Sequence, residues 1–234
     1  MTAHPDDMAE AIAEVEAEAA AAGADVGGAV KQIVLATHNR HKVEEFQAIV
    51  AATRPDLVVV AYDGPEPVED GVTFAENALI KARAAAEHTG LPALADDSGI
   101  CVDVLGGAPG VFSAYWAGHA KDAAANLNLL LDQLSDIRDP HRTGQFVSTI
   151  ALVVPGPSTG SGTASEDVVE GIWPGRLAAA PSGGGGFGYD PIFIPDGQPA
   201  DAERTVGEWS AAEKNADSHR ARAFAELSPL LAAL

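Results

Sequence analysis

The chain has 234 residues, with 14 Lys and Arg against 34 Asp and Glu, a formal net charge of −20 and 47% hydrophobic residues. At about 100 to 200 residues per domain this is one folded unit able to bury a sizeable core. The charge opposes a phosphate backbone, which excludes nucleic acid as a partner unless the few cations gather in one place. No apolar run approaches the ~20 residues that span a bilayer. The opening MTAHPDDMAE also lacks the basic start and apolar stretch of a signal peptide. The expected address is therefore cytoplasmic, away from membranes. Cys101 is the single cysteine; it can close no internal disulfide and cannot supply a thiolate zinc cluster.

Residues 1–29 stand apart, with seven acidic side chains, no Lys or Arg, and an alanine-rich stretch ending at Gly23. Alanine and glutamate favour helix, but alanine buries little, so this segment is expected to be an appended, solvated arm. The folded domain is expected over 30–234. Gln32–Ala36 reads as a buried strand, Thr37–Lys42 as a polar turn and Val43–Val50 as a helix. Leu57–Ala61 is a second strand, followed by an acidic, proline-containing loop over 64–71 and a second amphipathic helix over Thr73–His88. Ala93–Ala95 reads as a short strand delivering Asp96-Asp97-Ser98-Gly99 into a turn, with Ile100–Leu105 extended again and 106–110 a loop. A helix over 122–135, strands at 146–154 and 167–173, extended structure at Tyr189–Ile194 and helices near 208–216 and 217–233 complete the pattern. Interleaved helices and strands without repeats give an α/β class with some adjacent antiparallel strands.

Four constellations carry chemistry, and each also admits a plainer reading. Thr37-His38-Asn39-Arg40-His41-Lys42 sits where a strand hands over to a helix. The first N–H groups of a helix have no internal partners and attract phosphate, although simple capping explains the same residues. Glu69, Glu76, Asp96 and Asp97 can hold Mg²⁺ or accept a proton from water, while Asp96 or Asp97 as a turn cap is the plain alternative. Gly183–Gly188 satisfies G-x-G-x-x-G, but the prolines after it oppose the helix that a dinucleotide site requires. It reads instead as a loop presenting Phe187 for stacking and Asp190 for a base edge, or as a linker with a core phenylalanine. Lys214 and Ser218-His219-Arg220 are spaced so that a break near Asn215 can aim them at one ligand; otherwise they form a solvated face.

Taken together, LATHNRHKVEEF (35–46), TFAENALIKARAAA (73–86), PALADDSGICVDVLGGAPGVFSAYWAG (92–118), GGFGYDPIFIP (185–195) and EKNADSHRARA (213–223) closely resemble the inosine/xanthosine triphosphate pyrophosphatase family. The resemblance covers nearly all of 32–230. It implies an elongated two-lobed α/β fold with a central mixed sheet, a substrate cleft between the lobes, and usually a homodimer. It also implies Mg²⁺-assisted hydrolysis of ITP, dITP or XTP to the monophosphate and pyrophosphate, removing deaminated purines from the nucleotide pool. Carried over residue by residue, Thr37, His38, Asn39, Arg40, His41 and Lys42 resemble the triphosphate loop, and Lys81 a further phosphate cation. Asp97 resembles the proton acceptor and a metal ligand, Glu69 a second metal position, and Ser98 a substrate contact. Phe187, Gly188, Tyr189 and Asp190 resemble the base-binding turn, and Lys214, His219 and Arg220 the helical base and phosphate contacts. The acidic arm, the enlarged loop over 156–166 and Thr205-Val206-Gly207-Glu208-Trp209 depart from the family pattern. A nucleotide sensor without hydrolysis and a pyrophosphatase for other nucleotides are the rival expectations.

Overall fold

The computed structural model describes residues 31–156 and 164–234. The expected arm over 1–29 and most of the expected loop over 156–166 lie outside the described residues.

Six strands form one mixed sheet in the order β2-β1-β3-β4-β5-β6. β1 (Lys31–Leu35), β2 (Leu57–Ala61) and β3 (Ala93–Val102) are parallel, linked by α1 (Arg40–Thr53) and α2 (Phe74–Thr89). β4 (Thr143–Val154), β5 (Ser165–Leu177) and β6 (Phe193–Pro195) extend the sheet antiparallel. Two 3₁₀ segments, Asp103–Leu105 and Gly110–Tyr115, and then α3 (Ala123–Gln133) join β3 to β4; α4 (Ala211–Asp217) and α5 (His219–Ala232) end the chain. The α/β class expected from the interleaved pattern is the observed one.

Side chains alternate across a strand, and the two sheet faces are covered differently. Leu94, Ile150 and Leu152 on one face pack against Phe46 and Val50 of α1 and Phe224 and Leu227 of α5. On the other face Ala93, Ala95, Ala151 and Val153 meet Ala78, Ala82, Ala85 and Ala86 of α2, whose small side chains let the helix approach closely. α2 starts where it does because Thr73 and Glu76 form a capping box, and it stops at Gly90 in the left-handed conformation. A third cluster joins Ile100, Phe146, Trp173 and Leu177 at the far end of β3–β5 to Leu127 and Leu130 of α3. Each fully buried large apolar side chain in these clusters contributes about 1.5 to 3 kcal/mol. Gly171 on β5 makes one close approach possible. A β-carbon there would fall 2.1 Å from the His219 carbonyl oxygen and 2.3 Å from the Ala223 nitrogen, so α5 lies backbone to backbone on the strand.

The structure corrects the expected turn at Asp96–Gly99. β4 pairs with the whole of β3, from Ala93 opposite Val153 to Val102 opposite Gly144, so the polar stretch runs straight through as strand. Ladder hydrogen bonds to β4 override the local preference of Asp-Ser-Gly for turning. Beyond Val102 the expected extension gives way to the first 3₁₀ segment. Similarly, Tyr189–Ile194 is not extended throughout: a 3₁₀ turn over Asp190–Ile192 precedes β6. The polar stretch of β3 therefore lies between its apolar residues 93–95, which belong to the first two clusters, and Ile100 and Val102, which belong to the third.

Candidate active site

Asp96 and Asp97 are neighbours on a strand, so their carboxylates leave opposite faces of the sheet. Asp96 is buried. Lys42 Nζ donates to its two oxygens at 2.9 and 3.1 Å, and Arg220 Nη2 lies 3.7 Å from Oδ2. Burial alone would raise the Asp96 pKa, but the charges of Lys42 and Arg220 and the Lys42 hydrogen bond outweigh it and hold the carboxyl at about 2. Lys42 reaches this position from the first turn of α1. That turn is organised by the Thr37 hydroxyl, which accepts from the Asn39 N–H at 3.2 Å, and by Asn39 Oδ1, which accepts from the Lys42 N–H.

Asp97 faces α2 instead. Lys81 Nζ lies 3.2 Å from Asp97 Oδ1 and 2.8 Å from Glu69 Oε2, while Asn77 Nδ2 donates to Asp97 Oδ2 at 3.3 Å. Burial raises the Asp97 pKa, the nearby Glu69 charge raises it further, and the opposing charge and hydrogen bond of Lys81 do not cancel the rise. Lys81 stays protonated: burial disfavours its charge, yet Asp97, Glu69 and Asp96 together hold its pKa above the usual lysine value. Asn77 is a residue the sequence reading missed. It is buried, and its Oδ1 accepts from the Gly71 N–H at 2.9 Å, so one amide ties the Glu69 loop to Asp97. Its spacing of four residues before Lys81 was the available signal, since i and i+4 share a helix face. Glu76 belongs to the α2 capping box rather than to this cluster.

A cavity of about 330 Å³ opens beside these residues. Ser98, Gly99 and Phe146 contribute from the sheet, Ser113, Ala114, Lys121, Ala123 and Asn126 from the 3₁₀ segment through α3, and Phe187–Asp190, Lys214, His219 and Arg220 from the glycine loop and terminal helices. The Phe187 turn is built around the buried Asp190 carboxylate, whose Oδ2 accepts from the Phe187 N–H at 2.8 Å and from Lys214 Nζ at 2.5 Å. Gly186 has φ 72°, and a β-carbon there would fall 2.2 Å from that oxygen, so this turn requires glycine. Lys214 Nζ also lies 4.2 Å from the centre of the Phe187 ring, which is itself exposed. Tyr189 is a supporting residue: its buried hydroxyl donates to the Ser113 carbonyl at 2.9 Å, and burial raises its pKa.

α4 ends and α5 begins at Ser218, whose hydroxyl accepts from the Ala221 N–H. The break therefore falls three residues beyond the expected Asn215. It puts His219 and Arg220 in the first turn of α5, facing the cavity. His219 stacks on Phe146 with ring centres 4.9 Å apart, and its Nδ1 is buried with no hydrogen-bond partner among the described residues. Burial, assisted by the charges of Arg220 and Lys214, lowers its pKa to about 3, so the ring is neutral.

Most of the expected site residues thus converge. Lys42 and Arg220 meet at Asp96, Glu69 and Lys81 meet at Asp97, and Ser98 shares the cavity with the Phe187 turn, Lys214 and His219. His38 does not join them. Its ring nitrogens lie 3.2 Å from Glu66 Oε1 and 3.0 Å from the Gly64 carbonyl, which ties it to the loop after β2. Arg40 is exposed on the first turn of α1, and the side chain of His41 lies outside the described residues. The glycine run is a loop followed by a 3₁₀ turn, in keeping with the rejection of a dinucleotide site.

Among the described residues, no group of three or more His, Cys, Asp and Glu side chains is arranged to hold a metal by protein donors alone. Mg²⁺ uses one or two carboxylates and completes its shell with water and phosphate oxygens. Glu69 and Asp97 fit that requirement, because both are hard oxygen donors already drawn to one cation, the Lys81 ammonium.

The chain is similar to known proteins along nearly its whole folded length. The model of the Ham1 family matches residues 33–230. A dITP/XTP pyrophosphatase of Leifsonia xyli subsp. xyli is 60% identical over 203 residues, covering 87% of this chain and 96% of that protein. One of Streptomyces coelicolor is 52% identical over 204 residues, covering 86% and 96%. Among solved structures, a HAM1 protein from Coxiella burnetii superimposes with a TM-score of 0.75 at 38% identity, covering 87% of this chain and 100% of that one. The nucleoside-triphosphatase / dITP/XTP pyrophosphatase of Mycobacterium abscessus does so with a TM-score of 0.69 at 46% identity, covering 85% and 99%. On the family match and these relatives, the chain belongs to the Ham1 family.

Proposed function

We propose that this protein hydrolyses non-canonical purine nucleoside triphosphates, namely dITP, ITP and XTP, to the nucleoside monophosphate and pyrophosphate. One observation carries the reading: β3 presents Asp96 and Asp97 to two separate charge clusters beside a cavity that already contains an aromatic ring, a neutral histidine and matched cations. A protein that only sensed the base would have no need of Glu69, Lys81 and Asp97 at the edge of its pocket.

The triphosphate is proposed to lie over the β1–α1 turn, with Lys42, Lys81 and Arg220 balancing its charge and the Thr37 and Asn39 turn orienting it. Asp97 is the proposed proton acceptor. Its burial and the nearby Glu69 charge raise its affinity for a proton, which suits a carboxylate that must take one from water. Lys81 and Asn77 each engage one of its oxygens, fixing its direction toward water poised at the α-phosphorus. Glu69 and Asp97 are the residues that would hold Mg²⁺, which when bound supplies charge neutralisation of the phosphate oxygens and the leaving pyrophosphate.

The base is proposed to enter the cavity, read as the cleft between two lobes, with Phe187 closing over it. Ser98, Gly188 and Tyr189 shape the walls, while Lys214, His219 and Arg220 supply donors for the 6-oxo group. Adenine would set its amine against those donors, and a buried unpaired donor costs about 1 to 3 kcal/mol. The family resemblance further supports a homodimer and a cytoplasmic location; no helix among the described residues is long and apolar enough to cross a membrane.

Asp97→Asn tests the central assignment. Turnover of dITP and XTP should fall at least about a thousandfold, while a nonhydrolysable analogue still binds. Substantial turnover in that variant would show that another group takes the proton.

A further inference from the structure

Lys121 is the one residue other than glycine, among the described residues, with a positive φ, at 53°. An L side chain is crowded in that conformation, which a lysine rarely adopts. The turn is held on both sides: the Lys121 N–H donates to the Gly118 carbonyl at 3.2 Å, and the next residue, Asp122, caps α3 by accepting from the Ala125 N–H at 3.0 Å. This backbone makes Lys121 part of the cavity lining, together with Asn126, Phe187, Asp190 and His219.

The other cations of that lining are already matched, Lys214 by Asp190 and Arg220 by Asp96. No ion pair or hydrogen bond engages the Lys121 ammonium among the described residues. Lys42, Lys81, Glu69 and Asp97, the proposed phosphate and metal groups, do not line this cavity. Lys121, an exposed residue, therefore adds to the lining of the cavity proposed for the base a lysine that no carboxylate among the described residues holds, away from the groups proposed for the phosphates.

We infer that Lys121 is a specificity-determining contact to the purine base, favouring xanthine over hypoxanthine and opposing guanine. The inference rests on the proposed function and names which of its substrates this chain prefers. Xanthine carries a 2-oxo group, and its pyrimidine ring loses a proton near neutrality, so it offers an ammonium both an acceptor and a negative charge. Hypoxanthine presents only C–H at that position and stays neutral. Guanine presents an amine there, a donor set against a donor. One side chain thus accounts for the admission of a 2-oxo group and the refusal of a 2-amino group.

The test compares kcat/KM for XTP, dITP and GTP in the wild type, Lys121→Asn and Lys121→Arg, alongside binding of XMP and IMP. Asparagine tolerates the left-handed backbone without the charge, and arginine keeps the charge. The XTP to dITP ratio should fall about tenfold in K121N and be retained in K121R, with GTP better accepted by K121N. An equal loss on XTP and dITP would put Lys121 on the phosphates or ribose and overturn the inference, as would an unchanged ratio. If the wild type hydrolyses none of these nucleotides, the proposed activity fails. The base contact then stands only if XMP binds more tightly than IMP and K121N abolishes the difference.

Discussion

Asn77 shows how much of a site can rest on a residue without charge. Its amide nitrogen donates to Asp97 Oδ2 and its oxygen accepts from the Gly71 N–H, so it sets the direction of one carboxylate and the position of the loop bearing another. Asn77→Ala leaves the Gly71 N–H without its acceptor and Asp97 held by Lys81 alone. The expected result is a kcat lower by about tenfold to a hundredfold, as small misplacements of reacting groups produce, with KM changed far less. Steady-state kinetics together with melting curves check this; a KM effect alone, or a loss fully explained by unfolding, would assign Asn77 a purely structural role. The acidic pair it serves was legible in the sequence as two candidate carboxylates. Their division of labour was not, because it depends on β3 continuing as strand through Asp96-Asp97-Ser98-Gly99. Only pairing with β4, some fifty residues away, decides that.

At the scale of elements, the site is a set of chain ends aimed at one place. The end of β1 and the capped start of α1 bring Lys42, the first half of α2 brings Asn77 and Lys81, and the break between α4 and α5 brings His219 and Arg220. Periodicity revealed most of these elements, β2 to the residue, because an amphipathic pattern records which face is buried. It did not locate the α4–α5 break, which is set by the Ser218 cap, nor the Asp190–Lys214 pair that builds the Phe187 turn, since both depend on contacts between distant segments. The start of α5 has a pH consequence. His219 titrates near 6.5 when unfolded and at about 3 when folded, so below pH 6.5 the unfolded chain binds the extra proton. The contribution of the neutral ring is fully present above 6.5 and is lost as pH falls from there toward about 3, at up to about 1.4 kcal/mol per pH unit. Denaturant unfolding between these limits should show a shallower pH dependence for His219→Gln than for the wild type. Equal slopes would mean that His219 is not held neutral in the folded protein.

For the molecule as a whole, charge is arranged against its own average. A chain of net charge −20 gathers Lys42, Lys81, Lys121, Lys214 and Arg220 around one strand and one cavity, where Asp96, Asp97, Glu69 and Asp190 pair with four of them, so charge there is nearly balanced while the chain as a whole is strongly acidic. Composition argued against a duplex-binding surface but could not show this gathering of cations, since the five are separated by up to about 180 residues of sequence and are brought together by the fold. The proposed reaction makes a definite demand of this arrangement: water activated by Asp97 should strike the phosphorus bonded to the nucleoside, not the terminal one. Hydrolysis of dITP in water carrying heavy oxygen, with the products resolved by mass spectrometry, reads that choice directly. Attack at the α-phosphorus places the label in dIMP and leaves the released pyrophosphate unlabelled. Label in the pyrophosphate, or release of inorganic phosphate with dIDP, would contradict it.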